Sequence, residues 1–418
     1  MKFPNTFLVS NPRNKLSEPP SEAMKIKVLQ CILLLFLVHG IGATNISESP
    51  LLSADADSIT LVDPKASRQT KALYRNLKMI AGQHIMFGHQ DDLAYGVMWK
   101  GGKQERSDIH DVSGRFPAVF GWDLSKLGSR PFNIDTVEFR AMRSWMIHAY
   151  KMGGINTVSW HVDNFVTGGD SWDSGTANVV ASILPGGEHH QLYKDKLDLL
   201  AGYFKSLKTG TLIKRSIPII FRPFHEHTGP WFWWGQPHCS PEEYKSLWRF
   251  TVHYLRDVKK VHNLLYCYSP DIFEDEAHYL ECYPGNEYVD IMGLDNYHDV
   301  HPDNDPSFLT KRLNTLVQIA EKHNKVAALT ETGLEGITET NWWTDLLLHA
   351  IKSDQAASRI AWVLVWRNAN TTHHYGPYPE HHSAENFRTF CQDPLILMAD
   401  NLPLMYRMRT RKNNSSTR

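Results

Sequence analysis

The sequence predicts an α/β protein of the (β/α)8 TIM barrel class, as a single catalytic domain. Three observations carry that expectation. Eight short apolar stretches of strand length recur between His84 and Val365, and stretches with helical spacing separate them. Neither a GxGxxG nor a GxxxxGK[ST] phosphate turn is present, whereas an open doubly wound sheet usually has fewer strands and a glycine-rich turn.

In chain order, Ser67 to Ile80 places Ala72, Leu73, Leu77 and Ile80 at helical spacing. The expected strands are His84 to Gly88, Pro117 to Phe120, Ile155 to Ser159, Ile217 to Phe221, Leu264 to Tyr268, Val289 to Leu294, Val326 to Leu329 and Ile360 to Val365. Crossover helices are expected at Val137 to Tyr150, Gln191 to Leu207, Pro241 to Lys259, Phe308 to Lys322 and Trp342 to Lys352. Val162 to His190, rich in glycine and aromatic residues, reads as a long loop after the third strand that builds part of a cleft.

Composition narrows the function. Hydrophobic residues at 42% and charged residues at 21% give ample core, while 13 Trp and 16 Tyr exceed what that core needs and point to a carbohydrate or aromatic ligand. The 44 Lys and Arg nearly cancel the 45 Asp and Glu, so no global field favours nucleic acid or an anionic membrane.

The N-terminus carries an address. A short basic region at Met24 to Lys27, the apolar run Val28 to Val38 and small residues near Ala43 read as an export signal, with Met24 as an alternative start. The run is too short to span a bilayer comfortably, so a periplasmic or extracellular protein is expected, without stable membrane insertion and with anchoring left open. Residues 1–43 are read as extension and signal, 44–64 as linker, 65–405 as the catalytic domain and 406–418 as a basic, disordered tail. Cys239, Cys267, Cys282 and Cys391 remain after cleavage; an even count permits two disulfides, and the spacing selects no pairing. A monomer is expected.

In a barrel of this class, polar residues at the carboxyl ends of the strands are the site candidates: His89, Asp123, His161, Glu226, Tyr297, Glu331 and Trp366. The fourth strand runs into Arg222, His225, Glu226 and His227, and then Trp231, Phe232, Trp233 and Trp234. An acid set among aromatic rings suits sugar cleavage, because sugar C–H faces pack on indoles and the acid protonates the leaving oxygen. Such cleavage asks for a second carboxyl group, and Glu331 ends the seventh strand. Aromatic packing would raise the pKa of Glu226, and donors such as Tyr297 and Arg222 would keep the partner carboxylate charged.

Arg222-Pro223-Phe224-His225-Glu226, then Trp231-Phe232-Trp233-Trp234-Gly235, together with Leu329-Thr330-Glu331-Thr332-Gly333, resemble the signature pair of glycoside hydrolase family 26. The similarity runs from about His84 to Asn368 and includes Phe87-Gly88-His89-Gln90, Trp160-His161 and Asn296-Tyr297. It implies a (β/α)8 barrel that retains configuration by double displacement, acting on β-1,4-linked mannan polysaccharide or oligosaccharide without a cofactor or metal. It further implies Glu226 as acid/base and Glu331 as nucleophile. His225 would bond the sugar near its 2-hydroxyl or the nucleophile, Tyr297 would donate to Glu331, and Trp366 would form a stacking floor. His161 and Trp172 would line the glycone side and Trp231 the region beside the acid, with Arg222 in support.

Other readings stay open at this stage. Related specificities are mixed-linkage β-glucan, β-1,3-xylan or xyloglucan; a mannan-binding protein without catalysis is a different class. The pair His225 and His227 would suit a metal-dependent hydrolase only with further ligands from other strands. The loops Trp99 to Arg115 and Val162 to His190 either close one end of the cleft, giving mannobiose release from chain ends, or extend it.

Overall fold

The computed structural model describes residues 59–101 and 106–408; the signal, most of the linker and the tail from residue 409 lie outside them. Eight parallel strands form one sheet: β1 (Ile85–Gln90), β2 (Val119–Asp123), β3 (Ile155–Trp160), β4 (Ile219–Pro223), β5 (Leu264–Tyr268), β6 (Ile291–Asn296), β7 (Val326–Thr332) and β8 (Trp362–Val365). Each pairs with its sequence neighbours, and β1 also pairs with β8, Met86 opposite Trp362, which closes the barrel. A two-residue strand, Ile396–Leu397, adds to the outer side of β1.

Every residue of these strands is buried, which is why they read as continuous apolar runs rather than alternating ones. The alternation is still there, between two cores. Met86, Val119, Ile155, Ile220, Leu265, Ile291, Val326 and Trp362 gather in one cluster with Leu73, Leu77 and Ile80 of helix α1 (Arg68–Ile80). Their neighbours Phe87, Phe120, Phe221, Tyr266, Met292 and Val363 belong to the other, with the surrounding helices. Helix α1 therefore plugs the amino end of the barrel. The mouth is left at the carboxyl end.

The remaining α-helices are α2 (Asp108–Ser113), α3 (Phe139–Lys151), α4 (Val179–Ile183), α5 (His190–Ser206), α6 (Pro241–His253), α7 (Glu276–Glu281), α8 (Ser307–Lys322), α9 (His349–Lys352) and α10 (Ala384–Gln392). The expected crossovers are found at α3, α5, α6, α8 and α9, the last preceded by a π-helical stretch from Trp342 to Leu348. Helix α6 starts where Ser240 and Glu243 form a reciprocal capping box with Pro241 in the first turn, and it continues as a π-helix to Val258. Helices α2, α4, α7 and α10 went unread because each is short.

The packed unit reaches past the boundaries read from sequence. Val62 and Asp63 are buried, and the Val62 amide donates to Asp290 at 2.9 Å. At the other end the Tyr406 hydroxyl donates to the Gly154 carbonyl at 2.6 Å. Cys239, Cys267, Cys282 and Cys391 are free thiols. Among the described residues no helix is long and apolar enough to cross a membrane.

Candidate active site

Strand parity builds the floor of the mouth. Continuing upward from the inner cluster in steps of two leads to Asp123 on β2, Ser159 on β3 and His161 just after it, Arg222 on β4, Ser269 after β5, Asp295 on β6 and Trp366 after β8. Asp123 collects His161 Nδ1 at 2.8 Å, the His161 amide at 3.1 Å and the Ser159 hydroxyl at 2.8 Å. Burial alone would raise the Asp123 carboxyl and lower the His161 ring. Their mutual charge and hydrogen bond outweigh both, holding Asp123 below its ordinary value and His161 above.

Past β4 the chain leaves the regular pattern. Phe224 (φ 51°) and Glu226 (φ 54°) both adopt the left-handed backbone region, which costs side-chain-bearing residues energy and must be held from outside. The holding contacts are present for four successive carbonyls. Phe224 O accepts from the Tyr244 hydroxyl at 2.8 Å, His225 O from Trp234 Nε1 at 2.9 Å, Glu226 O from the Gly229 amide at 2.9 Å and His227 O from the Gln236 amide at 2.8 Å. The Glu226 amide in turn donates to Ser269 O at 2.9 Å. This settles what the aromatic run does. Phe232, Trp233 and Trp234 are buried scaffold, Trp233 Nε1 reaching Val162 O at 3.0 Å. Only Trp231 touches the acid, donating from Nε1 to Glu226 Oε2 at 2.6 Å.

Burial pushes the Glu226 carboxyl well above its ordinary value. The charges of Glu331, Asp295 and Asp271 push the same way, against the opposing Trp231 bond.

Glu331 reaches the mouth through a register shift. Leu294 lies opposite Leu329, but Asp295 lies opposite Glu331, so Thr330 is an extra residue in β7. Regular alternation would turn Glu331 outward; the bulge lets Thr330 Oγ1 bond Asp295 Oδ1 at 2.6 Å while Glu331 still faces the mouth. Gly293 makes room for this, since a Cβ there would lie 2.6 Å from Thr330 Oγ1 and 2.8 Å from Ser269 Cβ. Glu331 accepts from Arg222 Nη2 through Oε1 and from the Tyr297 hydroxyl at 3.0 Å through Oε2. Arg222 also binds Asp295 at 2.6 Å and Ser269 at 3.2 Å, so one buried guanidinium ties β4, β5, β6 and β7 together.

Opposite this network stands a group of rings. Trp172, 47% exposed, stacks on His161 at 5.2 Å with the planes 15° apart. His161 meets His225 edge-on at 4.6 Å and the half-buried Trp366 at 6.2 Å. Burial drives the His225 ring well below its ordinary value, helped by the Arg222 charge, so it stands neutral. His227 turns the other way, its Nε2 meeting the Tyr268 hydroxyl at 2.9 Å, so the two histidines flanking Glu226 do not converge on a common point. The mouth thus presents a carboxyl whose protonated form burial favours, a second carboxyl group bonded by a guanidinium and a phenol, and ring faces around them. That set can deliver a proton and a nucleophile to one sugar linkage.

The sequence profile of glycosyl hydrolase family 26 matches residues 62–382. The chain belongs to that family. Its curated relatives include a mannan endo-1,4-beta-mannosidase of Bifidobacterium adolescentis, 36% identical over 299 residues, a match covering 68% of this chain and 29% of the relative. Another, mannan endo-1,4-beta-mannosidase A and B of Caldalkalibacillus mannanilyticus, is 26% identical over 342 residues, covering 77% of this chain and 61% of the relative. The chain therefore matches under two thirds of the length of either. Among solved structures, a GH26 beta-mannanase from Bacteroides ovatus superposes with a TM-score of 0.78 at 42% identity, covering 82% of this chain and 98% of that one.

The family 26 barrel brings together nine residues singled out from sequence: Glu226 bonded to Trp231, Glu331 bonded to Arg222 and Tyr297, and His161, Trp172, His225 and Trp366 as rings around them, whereas His89, also a strand-end candidate, is bonded to Asp92 at 2.8 Å. Asp123, a candidate from sequence, proves to support His161, and the structure adds Ser269 and Asp295 as supports and Phe232, which packs on His161 at 5.4 Å and on His225 at 5.2 Å. Asp123 was legible as a strand-end carboxylate, but its partners were not. Phe232 was hidden inside the tryptophan run.

Proposed function

We propose that this family 26 protein is a retaining β-mannanase that cleaves β-1,4-mannosidic bonds of mannan, glucomannan or galactomannan. Glu331 attacks the anomeric carbon as Glu226 gives its proton to the leaving oxygen, forming a glycosyl ester and releasing the aglycone. Glu226, now charged, takes a proton from water, and the resulting hydroxide equivalent breaks the ester and restores both carboxyl groups. Tyr297 and Arg222 steady Glu331, the neutral His225 bonds the sugar beside it, and Trp366 with His161 and Trp172 carries the glycone. The observation that carries the reading is the unequal setting of the two carboxyl groups, Glu226 in an aromatic cage and Glu331 on a buried guanidinium. The mannan preference is supported by the names of the relatives, mannan endo-1,4-beta-mannosidases among them. The basic and apolar stretch from Met24 to Ala43 supports action outside the cytoplasm, and we take the working unit to be the monomer. Product profiling on mannopentaose, mannan, β-glucan and xylan tests this: manno-oligosaccharides should appear from the first two only, and mannobiose alone would mark attack from chain ends. Release from β-glucan or xylan in preference to mannan would contradict the specificity, and no release from any would contradict the activity.

A further inference from the structure

Beyond the dyad, one carboxylate near the acid has entered so far only through its charge on Glu226. Asp271 stands just past β5, half-buried; the Ile272 amide bonds its carboxyl, and no side chain among the described residues does. The backbone on either side of it is pinned by three hydrogen bonds. Ser269 O accepts from the Glu226 amide and Pro270 O from the Asp295 amide, each at 2.9 Å, and Phe273 O accepts from Arg312 Nη1. Arg312 is itself committed to Asp299 at 2.6 Å. A fixed, half-open carboxylate whose nearest cation is occupied retains its hydrogen-bonding capacity for something that arrives.

Position says what arrives. Around the barrel the order is β3, β4, β5, β6. The ring cluster of His161, Trp172 and Trp366 rises from the β3 and β8 ends, and Glu226 follows β4. Asp271, just past β5, lies on the side of Glu226 away from β3. With the glycone on the rings of the β3 and β8 ends, as the mannanase reading has it, the leaving group departs towards this side.

We propose that Asp271 recognises the leaving group, its carboxylate accepting hydrogen bonds from ring hydroxyls of the hexosyl unit that departs as Glu226 protonates the linkage. The proposal rests on the mannanase reading. It gives the residue a second consequence, because the Asp271 charge also acts on Glu226 and helps keep that acid protonated until the bond breaks. The other charged groups around Asp271 are Asp299, His298 and Arg312; burial pushes its own carboxyl up to about 6, so it is charged at neutral pH.

The test compares Asp271→Ala and Asp271→Asn with the wild type on mannopentaose and on 2,4-dinitrophenyl β-mannobioside, whose phenolate leaves without protonation and offers no hydroxyl groups. Loss of a charged hydrogen bond to the departing sugar should lower kcat/KM of Asp271→Ala on mannopentaose roughly tenfold to a hundredfold, with the aryl substrate changed by less than about threefold. The basic limb of the Asp271→Asn pH profile should move to lower pH, because a negative neighbour of Glu226 is gone. Equal losses on both substrates, or none on either with the wild type active, would overturn the proposal alone. A wild type inactive on both would overturn the mannanase reading and this inference with it.

Discussion

The contact between Trp231 and Glu226 makes a prediction at the scale of one residue. The indole N–H, 2.6 Å from Glu226 Oε2, stabilises the charged form of a carboxyl that burial and neighbouring carboxylates hold well above its ordinary value. Trp231→Phe keeps the ring and removes the donor, so Glu226 should hold its proton to higher pH. The basic limb of the kcat/KM profile on mannopentaose should shift upward, while kcat/KM at the plateau falls a few-fold for the lost contact. A limb that stays in place or moves down would show that another group sets it. Glu226 and Glu331 were legible in the sequence because each sits in a compact local motif. The partnerships of Asp123 with His161 and of Asp295 with Arg222 were not, because they join residues on different strands. Trp233 and Trp234 misled in the opposite sense: a run of indoles after an acid reads as a ligand-facing wall, yet these two rings are buried.

At the scale of elements, two irregularities deliver the carboxyl groups: the left-handed turn after β4 and the bulge in β7. The bulge depends on Gly293, whose missing side chain leaves space for Thr330 and Ser269. Gly293→Ala should therefore destabilise the protein by about 1–3 kcal/mol in a denaturant titration and lower kcat, because the strand carrying Glu331 must shift to admit the methyl. Unchanged stability with full activity would mean that β7 tolerates the regular register. The strands themselves were legible to within three residues at each end, the largest misses falling at the carboxyl ends of β2 and β7. Their carboxyl-terminal extensions were harder to read, since Asp123, Arg222 and Asn296 are polar residues inside strands and a composition rule stops before them. Thr330 as an extra residue leaves no mark on β7 alone, because a bulge is a relation between two strands.

For the whole molecule, the count and alternation of eight apolar stretches specified the barrel, whose closure follows once β1 meets β8. The role of α1 was not legible: its period identifies a helix, but its place under the barrel depends on an inner cluster drawn from all eight strands. Closure is also what makes the site, since Glu226 and Glu331 are separated in sequence and come to one mouth because they follow β4 and end β7 of the closed barrel, where Arg222 of β4 bonds Glu331 across the interior. The central claim is that these two carboxyl groups divide the work, with Glu331 forming the covalent bond. The most direct measurement is to incubate the enzyme with 2-deoxy-2-fluoro-β-mannosyl fluoride, digest it and locate the modified peptide by mass spectrometry. The account predicts one fluoromannosyl ester, on Glu331, and none in Glu331→Ala. A label on Glu226, or mannan hydrolysis with inversion and no label, would contradict it.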